Sequence, residues 1–176
     1  MPRLDTVDPT TDTGAGADLL NGPLKEKQKN IFKGLAAHPT VLEAYMAWGQ
    51  GAKGGALTPI EWEIVQLVAA EKFHCTYCTA AHTLIAGGAG ITEEDCVNIR
   101  KRHSDDPKLQ ALINFTAEVL DTSGNVCDET LAAFMDAGYN TKAAIEVIAG
   151  ISVLSFTSFY NHVHETVVDF PEAVTV

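Results

Sequence analysis

Apolar residues along this chain recur at intervals of three and four, the spacing of a helix face. No stretch alternates with the period of two that a half-buried strand requires, and no Asn-Gly hairpin signal occurs. Residues 1–17 mix Pro, Thr, Gly and Asp with almost no large apolar side chains, so residues 1–20 are expected to form a loose arm, free to lie over a neighbouring subunit. Residues 21–176 are expected to form one helical domain. Its first helix should span 23–37, anchored by Leu24, Ile31, Phe32 and Leu35 and ended by His38-Pro39, because the residue before proline avoids the helical region. Pro39 then opens a second helix through Trp48, and the glycine-rich segment 49–55 reads as a flexible break.

Thr58-Pro59-Ile60-Glu61 combines a capping threonine, a first-turn proline and a glutamate three residues after the cap, so a helix is expected from there to Phe73. Ile60, Ile64, Leu67 and Val68 make one apolar face and Trp62, Val65 and Ala69 another, which places this helix at the centre of a bundle. The next helix should run over 75–85 and stop at Gly87-Gly88. Others are expected over 92–102, 106–120, 128–137 and 141–166; the last is the longest, and its Ala143, Ala144, Ala149, Gly150, Ser152 and Ser155 would admit close neighbours. The fold class is all-α.

Reactive side chains concentrate between the two central helices. Cys75 and Cys78 stand three apart and His82 follows Cys78 by four, so the three share one helical stripe if the helix has begun by Cys75. A thiolate, not a thiol, is the nucleophile, and His82 supplies a base one turn beyond Cys78. Glu63 falls beside Leu67 and Ala70 on a buried shoulder of its helix, where a carboxylate needs a partner; it is either a charge reaching out to solvent or the group that orients His82. Glu71, one turn before Cys75, is its substitute. Cys75 and Cys78 lie close enough on one turn to form a disulfide. Structural zinc lacks half its ligands, since Cys96 and Cys127 stand alone and no second CxxC or HxxxH exists, so no metal and no cofactor are expected. A pair of inert buried thiols is the other competitor. His162 and His164 read as polar residues at a helix end, and Tyr77 as a packing or entrance residue.

The net charge of −11 and the lack of any basic cluster argue against nucleic-acid binding, since phosphate would be repelled. The first twenty residues hold no apolar signal region, and the longest apolar tract, 145–160, is interrupted by Glu146, Gly150 and several hydroxyl residues, so no membrane span is expected. The expected location is the cytoplasm, where a CxxC pair reads as redox or metal chemistry rather than a structural staple.

The pattern Glu63, eleven residues, Cys75-x-x-Cys78-x-x-x-His82 resembles the carboxymuconolactone decarboxylase superfamily, in its AhpD-like alkylhydroperoxidase branch. Phe159-Tyr160-Asn161-His162-Val163 and Asp169-Phe170-Pro171 are similar to a carboxy-terminal signature of some members. The resemblance implies a homo-oligomer and a peroxidase whose CxxC disulfide is reduced by an external dithiol partner, lipoyl- or thioredoxin-like. On it, Cys78 would attack a hydroperoxide after His82, held by Glu63, takes its proton, and Cys75 would resolve the product. Tyr77 is a departure, because the branch has a histidine immediately before the second cysteine. Two other functions fit the same scaffold: a thiol–disulfide oxidoreductase or redox sensor without peroxidase activity, and a decarboxylase-type lyase using His82 and Glu63 with the cysteines idle.

Overall fold

A computed structural model describes residues 2–176. The described residues form helices α1 (Ala15–Asn21), α2 (Asn30–Leu35), α3 (Pro39–Gly51), α4 (Pro59–Lys72), α5 (Thr76–Ala89), α6 (Glu93–Arg100), α7 (Pro107–Thr122), α8 (Asp128–Asp136) and α9 (Thr141–His164), with a 3₁₀ turn at Lys25–Lys27 and no strand. The chain is all-α.

Helix α4 is the hub and packs against α5, α6, α7 and α9. Its start is the capping box legible in the sequence: Glu61 N donates to Thr58 Oγ1 and Thr58 N donates to Glu61 Oε2. Every residue from Glu61 to Ala70 is buried. Burying Ile64, Val65, Leu67 and Val68 contributes about 1.5–3 kcal/mol each. That gain survives the desolvation of two carboxylates only because both are paired. Glu61 accepts from Tyr139 Oη at 2.9 Å and meets Lys108 Nζ at 2.8 Å, and Glu63 meets His82. Burial alone would raise the Glu61 carboxyl, but hydrogen bonds from Lys108, Thr58 and Tyr139 outweigh it and hold its pKa at about 2.

The expected boundaries shift where tertiary contacts decide them. The expected helix over 23–37 is two pieces, the 3₁₀ turn and α2. No side chain of its own caps α2; Asn30 N instead donates 2.9 Å to Asp169 Oδ2 from the far end of the chain. Residues of the expected arm lie on their own chain: Arg3 N donates to His164 O, Val7 N to Lys33 O, and Leu20 of α1 is fully buried. Helix α3 runs on to Gly51, and α5 passes through Gly87 and Gly88 before Gly90, at φ 101°, caps it in the left-handed region.

Helix α9 has the length and apolar composition of a membrane span, but half of its most apolar stretch is buried inside the protein. Contacts with α2, α3, α4, α5 and α7 cover its buried side. Glu146 does more than interrupt the tract. It accepts from Ala56 N at 2.8 Å and Leu57 N at 2.9 Å, tying the loop before α4 to α9.

Candidate functional site

One tight turn builds the site. Helix α4 ends in a Schellman motif, with Cys75 N donating to Ala70 O and His74 N to Glu71 O. His74 takes the left-handed position, φ 53°, where glycine is usual. Cys75 is then at once the N-cap of α5, its Sγ accepting from Cys78 N at 3.2 Å. The turn therefore delivers both cysteines to the first turn of a helix, where the orphan N–H groups and the helix dipole favour negative charge.

Cys75 and Cys78 form a disulfide, their Cα atoms 5.2 Å apart. The sulfurs are deep: Cys75 is 1% exposed and Cys78 3%. They sit in an apolar cluster with Leu24, Ile31, Leu35, Leu42 and Leu154. Two polar groups reach them, both from α9: Ser158 Oγ lies 3.3 Å from Cys78 Sγ, and Asn161 Nδ2 lies 3.5 Å from Cys78 Sγ and 3.9 Å from Cys75 Sγ.

Glu63 reaches across from α4 to His82 on α5, with Oε2 2.7 Å from Nδ1. A carboxylate only accepts, so His82 holds its proton on Nδ1 and keeps Nε2 as the basic nitrogen. The imidazole side chain is 18% exposed and stands one turn beyond Cys78. Glu63 is thus buried and paired rather than reaching out to solvent, and Glu71 is engaged elsewhere, accepting from Arg100 Nε at 2.8 Å. The side chains that hydrogen-bond the sulfurs come from α9, and His82 is not among them.

Tyr77 packs, and it also bonds. Its hydroxyl donates 2.8 Å to Asp169 Oδ1 and accepts from Ile31 N at 3.2 Å, while its ring meets Phe170 edge-on. Burial, foremost, and the neighbouring carboxylate push its pKa far up, so it stays a neutral donor. The departure inside the motif is therefore a clasp joining α5, α2 and the Asp169-Phe170 segment. His164 is no exposed helix-end residue: it is 1% exposed and stacks on Tyr160, and burial lowers its pKa. Cys96 is a buried free thiol and Cys127 an exposed one. Among the described residues no group of three His, Cys, Asp or Glu is arranged to hold a metal. Sequence reasoning missed Ser158 and the contact of Asn161 with the sulfurs; the polar positions 157, 158 and 161 on one side of an otherwise apolar helix were the available signal.

Residues 39–118 match the carboxymuconolactone decarboxylase family. The fold is similar to that of an uncharacterized peroxidase-related protein from Ralstonia eutropha JMP134, described as an alkylhydroperoxidase AhpD core: TM-score 0.82, 19% identity, 96% of this chain and 92% of that one. A cysteine-to-alanine variant of the debrominase Bmp8, in complex with 2,3,4-tribromopyrrole, matches with TM-score 0.73 and 14% identity over 94% of each chain. An uncharacterized peroxidase-related protein from Silicibacter sp. TM1040 matches with TM-score 0.68 and 15% identity over 77% of this chain and 75% of that one. No curated protein matches the sequence. At these identities the structural neighbours speak for the fold.

Proposed function

We propose that this chain, whose residues 39–118 match the carboxymuconolactone decarboxylase family and which carries a CxxC disulfide in an AhpD-like fold, is a thiol-dependent hydroperoxide reductase. The observation that carries the reading is a disulfide at the start of α5 with a Glu63-held imidazole one turn further along the same helix. In the reduced protein His82 Nε2 takes the Cys78 proton, and the thiolate attacks the O–O bond of a hydroperoxide. The bond breaks, Cys78 becomes a sulfenic acid, and the alkoxide takes a proton and leaves as the alcohol. Cys75 then attacks the sulfenic sulfur, water leaves, and the disulfide is restored; an external dithiol, lipoyl- or thioredoxin-like, reduces it and is itself oxidised. A cytoplasmic setting belongs to the same reading, because a cycling pair needs a reducing compartment. So does a homo-oligomer, for which the exposed face of α9 is the candidate surface.

Single-turnover oxidation of the reduced protein by a hydroperoxide tests this. Cys78→Ser should abolish the reaction, and Cys75→Ser should stop it at the sulfenic acid. His82→Ala should slow attack by roughly 10²–10⁴-fold, as loss of a general base does. Glu63→Gln should slow the same step, and the double variant should lose far less than the product of the two. Multiplying effects would sink the Glu63–His82 unit, and full peroxide reactivity in Cys78→Ser would sink the whole reading. The debrominase neighbour motivates a second reading, a CxxC thiol reductase acting on a carbon–halogen bond. Oxidation of the dithiol by a brominated pyrrole, with none by hydroperoxides, would select it.

A further inference from the structure

The side chains that hydrogen-bond the sulfurs stand on α9, on which no part of the expected chemistry was placed. Ser158 and Asn161 are three residues apart and present one face to the disulfide. Ser158 is fully buried and Asn161 is 4% exposed, so neither is a solvent-facing polar residue that happens to lie nearby. The amide is turned donor-first toward the sulfurs, and its Oδ1 is left buried with no partner among the described residues. The two contacts are not shared equally: Ser158 meets only Cys78, and Asn161 is nearer Cys78 than Cys75.

We propose that Ser158 and Asn161 form a donor cradle that stabilises negative charge on Cys78, making them catalytic residues in contact with the reacting sulfur. The inference rests on Cys78 being the attacking thiol. In an apolar pocket an uncompensated thiolate is unfavourable, and burial would keep Cys78 protonated. The Ser158 hydroxyl and the Asn161 amide each supply an N–H or O–H dipole whose energy is largest when the sulfur carries charge. The cradle and His82 then divide the work: the imidazole removes the proton, and α9 holds the charge left behind. By favouring the reduced, ionised form, the cradle also makes the disulfide more oxidising.

The test needs no peroxide. In a Cys75→Ser, Cys96→Ala, Cys127→Ser chain, thiolate absorbance is followed against pH to give the Cys78 titration midpoint. In the Cys127→Ser chain, the potential of the Cys75–Cys78 pair is measured against a dithiol buffer. Ser158→Ala should lower the thiolate fraction at neutral pH about tenfold, the scale of one hydrogen bond to a charged group. Ser158→Thr, which keeps the hydroxyl, should restore it. Asn161→Leu should act in the same direction. Each tenfold shift of the dithiol–disulfide equilibrium makes the pair more reducing by about 30 mV. Ser158→Ala removes one oxygen and fills no new space, so it carries the test even if Asn161→Leu does not fold. An unchanged midpoint and potential in Ser158→Ala would overturn the cradle. A shifted midpoint in a protein that turns over no peroxide would keep the cradle and remove the peroxidase reading instead.

Discussion

At the scale of single residues, Tyr77 shows what a local motif cannot tell. Sequence placed it between the cysteines as a packing or entrance residue and could not name its partners; Ile31 and Asp169 lie 46 and 92 residues away. Tyr77→Phe keeps the ring against Phe170 but strands the Ile31 N–H and one Asp169 oxygen. It should destabilise the fold by about 1–3 kcal/mol, the range for leaving buried polar groups unpaired. Denaturant unfolding reads this, and an unchanged midpoint would mean that the clasp contributes nothing. The same blindness applied to Asn161 and His164, whose sequence neighbours do not reveal that they face the interior. Glu63 was half legible. The helical wheel put it on a buried shoulder, and only the fold supplied His82 as the partner that makes that position tolerable.

At the scale of elements, the helices legible in advance were those with their signals inside their own sequence. Thr58-Pro59-Ile60-Glu61 opens α4 and Asp106-Pro107 opens α7 as the capping rules require. Helix α1 was missed because Gly14 offers no side-chain cap and seven residues are too few to stand as a helix alone; burial of Ala17 and Leu20 holds it. Helix α2 was drawn too long because Asp169, not a neighbour in sequence, sets its start. Helix α4 carries the pH dependence belonging to this level. The pKa of Glu61 is held near 2 in the folded chain against an ordinary value of 4.5. A depressed carboxyl contributes stability that is fully present above about 4.5 and is lost as the pH falls toward about 2. Glu61→Gln should therefore be less stable than the parent at neutral pH, and the gap should close across that window in unfolding measurements. A gap independent of pH would show that the Tyr139 and Lys108 contacts do not depend on the charge.

At the scale of the whole molecule, the all-α class and the Cys75–Cys78 disulfide were legible because hydrophobic period and CxxC spacing are local signals. Assembly is a different matter. Ile145, Ile148, Phe156, Phe159 and Val163 form an exposed apolar stripe along α9, and a patch of that kind calls for a partner. A second copy of the chain fits the proposed homo-oligomer; a sedimentation mass of 18.8 kDa at micromolar concentration would contradict it. The depth of the disulfide has a kinetic consequence. A protein dithiol must approach a sulfur along the S–S axis, and at 1% and 3% exposure neither sulfur offers that approach. Reduction must wait for a local opening, so its rate cannot rise with reductant concentration indefinitely. It should bend to a ceiling, the first-order rate at which the segments over the sulfurs part, as amide exchange does when opening limits it. Tyr77→Phe loosens the clasp and should raise that ceiling while leaving the initial slope per opened molecule unchanged. Reduction that stays linear in reductant to the highest concentrations, with the same line for Tyr77→Phe, would mean that the sulfurs are reached without any opening, and that the resting depth of the pair sets no clock.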